Sequence, residues 1–156
     1  MGQGKLCVTP LQVANAMAVI SRGGVFRFPR LFKEESVGAD AVDLGISGQT
    51  MNTVRDGMHA VVYEISGTAQ RAFEQDLPKF KQAGVTVFGK TGSTQPAHAW
   101  FAGFAEDSGG NSIAIAVEVE GGQSGASNAA PLGCDIMQFC IDAGYLGQLE
   151  ITDPNL

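Results

Sequence analysis

Apolar residues recur at intervals of three and four in three parts of the chain, a spacing that predicts amphipathic helices. These helices are expected at residues 10–22, 48–65 and about 129–144. The first has Thr9 as its cap and Pro10 as its first helical residue, and its apolar positions surround most of its circumference, so we expect it to be buried. Either Ser47 or Thr50 is expected to cap the second helix.

Alternating apolar and polar residues in the second half of the chain predict three strands, at 85–91, 99–105 and 113–120. The turns between them are short, which requires antiparallel pairing. Segment 25–31 contains Pro29 and fits an edge strand or a loop, 33–46 has no clear period, and 70–83 is a polar connection expected on the surface. The order of helix, helix, three-stranded meander and helix predicts an α+β fold with its helices grouped on one face of the sheet.

Composition excludes several classes of protein. The chain has 156 residues, of which 44% are hydrophobic, enough for one folded domain. A net charge of -6 argues against a nucleic-acid partner, which would select a basic surface. No apolar run approaches the roughly 18 residues of a membrane span, and the N-terminus lacks the apolar core of a signal peptide. Cys7, Cys134 and Cys140 have no metal-binding spacing and are expected to be small buried side chains.

The strongest candidate for chemistry lies at the end of the first predicted strand, where Lys90, Thr91, Gly92 and Ser93 follow one another. Thr91 and Ser93 are two residues apart and should emerge on the same face, while Gly92 leaves room for a ligand beside the backbone. Two hydroxyls and a cation suit a carboxylate, and the strand end can pair with an extended peptide. The alternative is an ordinary exposed turn.

A second motif overlaps the first, because residues 84–91 also fit the phosphate-binding loop G-x-x-x-x-G-K-[ST]. That loop needs an apolar strand before its first glycine and a helix after its lysine. Here a polar segment precedes Gly84, and Gly92 and Pro96 follow, which disfavours a helix. We therefore expect a strand at this position and no nucleotide site.

Other candidate residues give weaker signals. His59 and His98 have no third metal ligand at a recognisable spacing, so each is interpreted as a structural or partly exposed histidine. Glu118 and Glu120 share one face of a strand and are interpreted as its solvated side. Nothing in this pattern calls for a metal or a cofactor.

A series of short blocks occurs in order along the chain. The blocks are Gly2-Gln3-Gly4 with Thr9-Pro10-Leu11-Gln12, Gly57-Met58 through Gly67-Thr68-Ala69, Gly89-Lys90-Thr91-Gly92-Ser93 with Gln95, His98-Ala99-Trp100-Phe101 with Gly103-Phe104, and Gly125 with Ala129-Ala130-Pro131. This series is similar to the C-terminal part of the transpeptidase domain of class B penicillin-binding proteins, most closely the cell-elongation type. The match covers residues 2 to about 146 and departs from the family at Ser93, where threonine is usual.

The resemblance implies the penicillin-binding, serine β-lactamase-like fold, present in part, with residues 1–156 as one partial domain and 147–156 as a tail. It also implies peptidoglycan D,D-transpeptidation: a serine attacks the D-Ala-D-Ala end of a stem peptide and passes the acyl group to an amine. By resemblance, Lys90 supplies positive charge, Thr91, Gly92 and Ser93 bind the substrate or β-lactam carboxylate, and the Ser93 backbone N–H is one oxyanion donor. No cofactor is implied.

Two further family motifs, Ser-x-x-Lys and Ser-x-Asn, do not occur in the 156 residues. The resemblance therefore implies an inactive portion of an enzyme whose remaining N-terminal part supplies the nucleophile, at the extracytoplasmic face of the bacterial inner membrane. A non-catalytic, β-lactam-recognising sensor would share the Lys-Thr-Gly strand and is the alternative. A nucleotide-binding protein is the third hypothesis.

Overall fold

A computed structural model describes residues 4–30, 32 and 41–147 of the chain. Gly2 and Gln3 of the first block, Leu31, most of segment 33–46 and residues 148–156 lie outside the described residues. The elements follow the predicted order, with additions. Five helices are α1 (Pro10–Ser21), α2 (Gly48–Tyr63), α3 (Gln70–Phe73), α4 (Leu77–Gln82) and α5 (Ala130–Asp142), and five strands are β1 (Val25–Arg27), β2 (Ala41–Asp43), β3 (Val85–Thr94), β4 (His98–Asp107) and β5 (Ser112–Glu120).

The caps of the first two helices explain where they begin. The Thr9 hydroxyl accepts from the Gln12 backbone N–H while the Gln12 side chain accepts from the Thr9 N–H, a reciprocal capping box. Ser47, rather than Thr50, caps α2 by accepting from the Thr50 N–H. Both predicted helices are confirmed to within about two residues.

The three-stranded sheet has the order β3-β4-β5, all antiparallel, which confirms the predicted meander. In its register Lys90 lies opposite Ala102, Thr91 opposite Phe101 and Ser93 opposite Ala99. The strand runs from Val85 past Thr91 to Thr94, so the residues that follow Gly84 form a strand and not a phosphate-binding loop. A second, two-stranded sheet pairs β1 with β2. The sequence allowed an edge strand at β1 but predicted no strand at β2.

Helices pack on both faces of the sheet, so the prediction that they group on one face is wrong. On one face, Phe101 packs in a buried cluster with residues of α5 that include Cys134 and Met137. On the other, Phe88 and Phe104 pack against α2 at Met58 and against α1, at Met17 and Ile20. Both faces of β4 are apolar, which leaves neither face free for solvent.

The predicted polar connection at 70–83 is also wrong, because it forms α3 and α4 and contributes to the core. Phe73 and Phe80 are completely buried, and Phe73 packs 5.5 Å, centroid to centroid, from Phe101. Two phenylalanines in a segment of low mean hydropathy are enough to anchor two short helices, since burial of each aromatic ring removes a large apolar area from water.

Helix α1 is less buried than its apolar circumference predicted. Val19 is its one buried residue, and Leu11 is 52% exposed. Helix α2 is tied to the sheet by Arg55, whose guanidinium forms an ion pair with Glu106 and lies over the ring of Phe88, 4.6 Å from its centroid. None of the helices in the described ranges is long and apolar enough to cross a bilayer.

Candidate active site

The side chains of the predicted site residues point alternately to the two faces of the sheet along β3. Thr91 and Ser93 point to the face that packs against α5, together with Val87, and the Lys90 side chain leaves the opposite face. The register with β4 runs without a bulge from Val85 to Thr94, so this alternation holds along the whole strand. Both hydroxyls therefore come to one face, as the sequence predicted.

The backbone of the same residues faces the outer edge of β3, the edge away from β4. The Val87 N–H donates to the Tyr63 hydroxyl at 3.2 Å instead of to β4. Because hydrogen-bonded and non-hydrogen-bonded positions alternate along an antiparallel strand, the N–H groups of Thr91 and Ser93 share the outward direction. This edge offers backbone donors to a bound molecule.

The Thr91 hydroxyl has a partner that the sequence did not predict. The Thr91 Oγ1 and Thr68 Oγ1 atoms lie 2.6 Å apart, a hydrogen bond in which either can donate. Thr68 belongs to the turn after α2, and the sequence predicted no role for it at the site. The signal available in the sequence was the Gly67-Thr68-Ala69 block, whose glycine and alanine imply close packing around the hydroxyl.

The Ser93 hydroxyl is held from the other side. The Gly125 N–H donates to Ser93 Oγ at 3.0 Å, from a π-helical turn, Gly125–Ala129, that leads into α5. Because that oxygen accepts from an amide, the hydroxyl proton of Ser93 is left to donate elsewhere. Residues 90–93 and these two supports form what we call the strand-end site.

Lys90 completes the strand-end site from the opposite face. Its ammonium donates to the carbonyl oxygen of Thr91 at 2.6 Å, and the side chain is exposed. The Thr91 carbonyl shares the outward direction of its N–H, so the positive charge lies at the outer edge of β3. A cation, two hydroxyls and outward N–H groups can bind a carboxylate through charge-assisted hydrogen bonds.

The two histidines occupy other places. The His59 ring stacks on Tyr63, with 4.1 Å between ring centroids, and packs near Phe88. His98 Nδ1 lies 2.9 Å from the Glu118 carboxylate, an ion pair when the histidine is protonated. Within the ranges that the structure describes, no three His, Cys, Asp or Glu side chains come together as a metal site.

The three cysteines differ in burial. Burial, followed by the neighbouring Asp76 carboxylate, raises the pKa of the Cys134 thiol to about 12, so this thiol is unreactive at neutral pH. Burial also raises the pKa of the half-buried Cys140. Cys7 is exposed, so the expectation that all three are buried is wrong for Cys7.

A cavity of about 700 Å³ lies at the opposite end of β3 and is lined by His59, Tyr63, Glu74, Lys81 and Thr86, among others. Thr86 is five residues before Thr91, roughly 17 Å along an extended strand. The predicted residues thus lie on an open strand edge and not in this cavity, which suits an extended peptide better than an enclosed small molecule.

Comparison with known proteins identifies the family to which this fold belongs. The family model "Penicillin binding protein transpeptidase domain" matches residues 1–138. The chain therefore belongs to the family of penicillin-binding transpeptidases, and its likeness is to the class B members. The predicted family and the predicted fold are confirmed.

Named relatives support the same assignment. The chain is similar to the peptidoglycan D,D-transpeptidase MrdA of Haemophilus influenzae, with 27% identity over 91% of this chain and 25% of the relative. It is also similar to PBP2 of Pseudomonas aeruginosa, with TM-score 0.64 and 25% identity over 98% of this chain and 35% of that one.

A further solved structure is penicillin-binding protein A from M. tuberculosis as an imipenem acyl-enzyme complex, with TM-score 0.64 and 27% identity over 90% of this chain and 32% of that one. The chain thus spans about a quarter to a third of the length of the relatives it matches.

Proposed function

We propose that this chain carries the substrate-carboxylate site of a peptidoglycan D,D-transpeptidase that cross-links stem peptides by serine acyl transfer. The observation that carries the proposal is the pair of hydroxyls, Thr91 and Ser93, on one face of a strand whose outer edge also bears the Lys90 ammonium. Each hydroxyl is held by a neighbouring element, which fixes it in place before a ligand binds.

The roles are those that the family resemblance implies, and the geometry supports them. Thr91 and Ser93 donate to the terminal carboxylate of D-Ala-D-Ala, and Lys90 adds a positive field. A serine outside this chain attacks the penultimate D-Ala carbonyl, and its proton passes through a base to the departing amine of the terminal D-Ala. The outward N–H of Ser93 donates to the oxyanion that forms at that carbonyl. The acyl group then passes to an amine of a neighbouring stem peptide.

This chain alone is proposed to bind the carboxylate but not to react. No serine in its sequence has lysine three positions later or asparagine two positions later, so we propose that the nucleophile, its base and the middle motif belong to the rest of the domain. The same donors fit the carboxylate of a β-lactam. Since peptidoglycan cross-linking takes place outside the cytoplasm, we place the complete protein at the extracytoplasmic face of the inner membrane.

The direct test compares N-acetyl-D-alanyl-D-alanine with its methyl ester, in which a methyl group replaces the negative charge of the terminal carboxylate. Binding to the chain is followed through the backbone amide signals of Gly92 and Ser93 in NMR titrations. We expect the acid to bind more tightly than the ester, and Thr91→Val to lower acid affinity by about tenfold, the value of a hydrogen bond to a charged group.

Thr86→Val is the matched control, since Thr86 lies on the same strand but near its start. It should leave the acid affinity and the preference for acid unchanged. Equal binding of acid and ester by the unaltered chain would refute the carboxylate site. An acid preference that Thr86→Val abolishes as fully as Thr91→Val would show that strand stability, and not a particular hydroxyl, controls binding.

A further inference from the structure

The turn between α2 and α3 holds one hydroxyl against the strand-end site. Thr68 Oγ1 lies 2.6 Å from Thr91 Oγ1, although the two residues are 23 apart in the sequence. Thr68 is exposed and contributes no apolar burial to the core. Its side chain is therefore available to orient Thr91 rather than to hold the fold together.

The turn is built in a way that fixes the position of Thr68. A Cβ on Gly67 would lie 2.4 Å from the carbonyl oxygens of Ala60 and Val61, so only glycine fits against the end of α2. Ala69 is completely buried, and its N–H donates to the Val61 carbonyl at 3.0 Å. With both neighbours anchored, Thr68 has little freedom to move away from Thr91.

The chemistry of the hydroxyl pair gives Thr68 a role. A hydroxyl has one proton to donate, and a carboxylate can only accept. If Thr91 donated to Thr68, it would have no proton for the carboxylate. The productive arrangement is therefore a chain in which Thr68 donates to Thr91 and Thr91 donates to the substrate, each bond polarising the next.

We propose that Thr68 is a positioning residue for the substrate-carboxylate site, acting through the Thr91 hydroxyl. The inference rests on the proposed function of Thr91. Thr68 orients the Thr91 proton toward the ligand, as the Gly125 N–H does for Ser93 by occupying an acceptor position on that oxygen. The two supports differ in kind, since Thr68 acts through a side-chain hydroxyl and Gly125 through its backbone N–H.

The test uses the acid and ester forms of N-acetyl-D-alanyl-D-alanine and measures the ratio of their affinities for each variant of the chain. Thr68→Val removes the hydroxyl and keeps the shape, so the ratio should fall about threefold to tenfold, as expected for a neutral hydrogen bond. Thr68→Ser keeps the hydroxyl, so its affinity ratio should equal that of the unaltered chain. A purely structural effect would weaken acid and ester together and leave the ratio unchanged.

A double-mutant cycle isolates the pathway. In a Thr91→Val background, Thr68→Val should cause no further change in the ratio, because the hydroxyl through which it acts is gone. If the unaltered chain prefers the acid and Thr68→Val has the same acid-to-ester affinity ratio, the role of Thr68 is refuted while the carboxylate site stands. A loss that persists in the Thr91→Val background also refutes that role. If the unaltered chain does not discriminate, the carboxylate site itself is refuted and this inference with it.

Discussion

The Gly125 N–H and the Ser93 hydroxyl are joined by a hydrogen bond of 3.0 Å that ties the turn before α5 to the end of β3. Gly125 can come this close because it has no side chain. A Cβ there would lie 2.4 Å from the Gly92 carbonyl oxygen and 2.5 Å from the Trp100 carbonyl oxygen. The glycines of the two segments therefore face each other at the strand-end site.

We predict that Gly125→Ala displaces the π-helical turn and lowers the free energy of unfolding by about 1–3 kcal/mol, as overpacking does in a dense interior. The preference for acid over ester should fall with it, since Ser93 loses its amide donor. Chemical denaturation and the NMR titration measure the two effects.

Gly57→Ala is the matched control for that substitution. Gly57 lies inside α2, and a Cβ there meets nothing within 4 Å. Because alanine favours helix, this change should raise the free energy of unfolding by about 0.5–1 kcal/mol and leave binding unchanged. Equal destabilisation by the two substitutions would contradict the packing argument.

The sequence predicted the regular elements well because their periodicity is carried by many residues. Strands β3, β4 and β5 and helices α1 and α2 each have several apolar residues at the spacing typical of the element. One ambiguous position therefore does not alter the prediction. Helices α3 and α4 each depend on one buried phenylalanine, Phe73 or Phe80, within a polar segment. A single apolar residue has no period, which is why this part could not be predicted.

The arrangement of the candidate site could be predicted only where it depends on local sequence. Lys90, Thr91 and Ser93 are adjacent in sequence, so alternation alone placed the hydroxyls on one face. Their supports, Thr68 and Gly125, come from distant parts of the chain, and only the tertiary structure brings them to β3.

The expected burial of α1 was wrong for another reason. Apolar residues around a helix favour its packing against other elements, but they do not show which of those residues will be covered.

Positive charge at the strand-end site should make ligand binding depend on salt. Lys90→Ala removes the exposed ammonium that donates to the Thr91 carbonyl, and we expect a larger loss of acid affinity than for Thr91→Val. Raising the salt concentration should weaken acid binding in the unaltered chain and have little effect in Lys90→Ala, because screening acts on exposed charges. The measurement is acid affinity at low and high salt.

Ser93→Thr and a substitution of His59 provide the controls for this prediction. Ser93→Thr keeps the hydroxyl and should bind nearly as the unaltered chain does. His59→Gln removes the ring that stacks on Tyr63, so it should lower stability and leave the acid preference intact. A His59→Gln effect on the preference as large as that of Thr91→Val would overturn the assignment.

We expect that a fluorescent penicillin does not label this chain covalently. Stable labelling needs an activated serine, and Ser93, the serine at the site, accepts a hydrogen bond from the Gly125 N–H, which leaves it without a base at that contact. The assay is a denaturing gel beside an active serine transpeptidase. A fluorescent band at 16.3 kDa would contradict the prediction, and its loss in Ser93→Ala would identify the nucleophile.

The stability of the chain should fall in acid because of Asp107, at the turn between β4 and β5. Its carboxylate accepts from the Asn111 backbone N–H at 2.9 Å, the Asn111 side chain at 3.0 Å and the Gly147 N–H at 3.0 Å. The Asn111 side-chain hydrogen bond is the largest cause of a lowered pKa for Asp107 in the folded chain. This contribution is complete above the pKa of the unfolded chain, about 4, and is lost as pH falls through the folded pKa.

Asp107→Asn should therefore lower the free energy of unfolding at pH 7 and reduce the further loss between pH 7 and pH 3, because a side chain that does not titrate contributes no such pH dependence. Denaturation curves for both chains at the two pH values measure the difference. Glu120→Gln, on an exposed side chain at the far end of β5, is the control and should keep the acid-dependent loss of the unaltered chain. If Asp107→Asn loses as much stability between pH 7 and pH 3 as the unaltered chain does, the acid sensitivity has another origin.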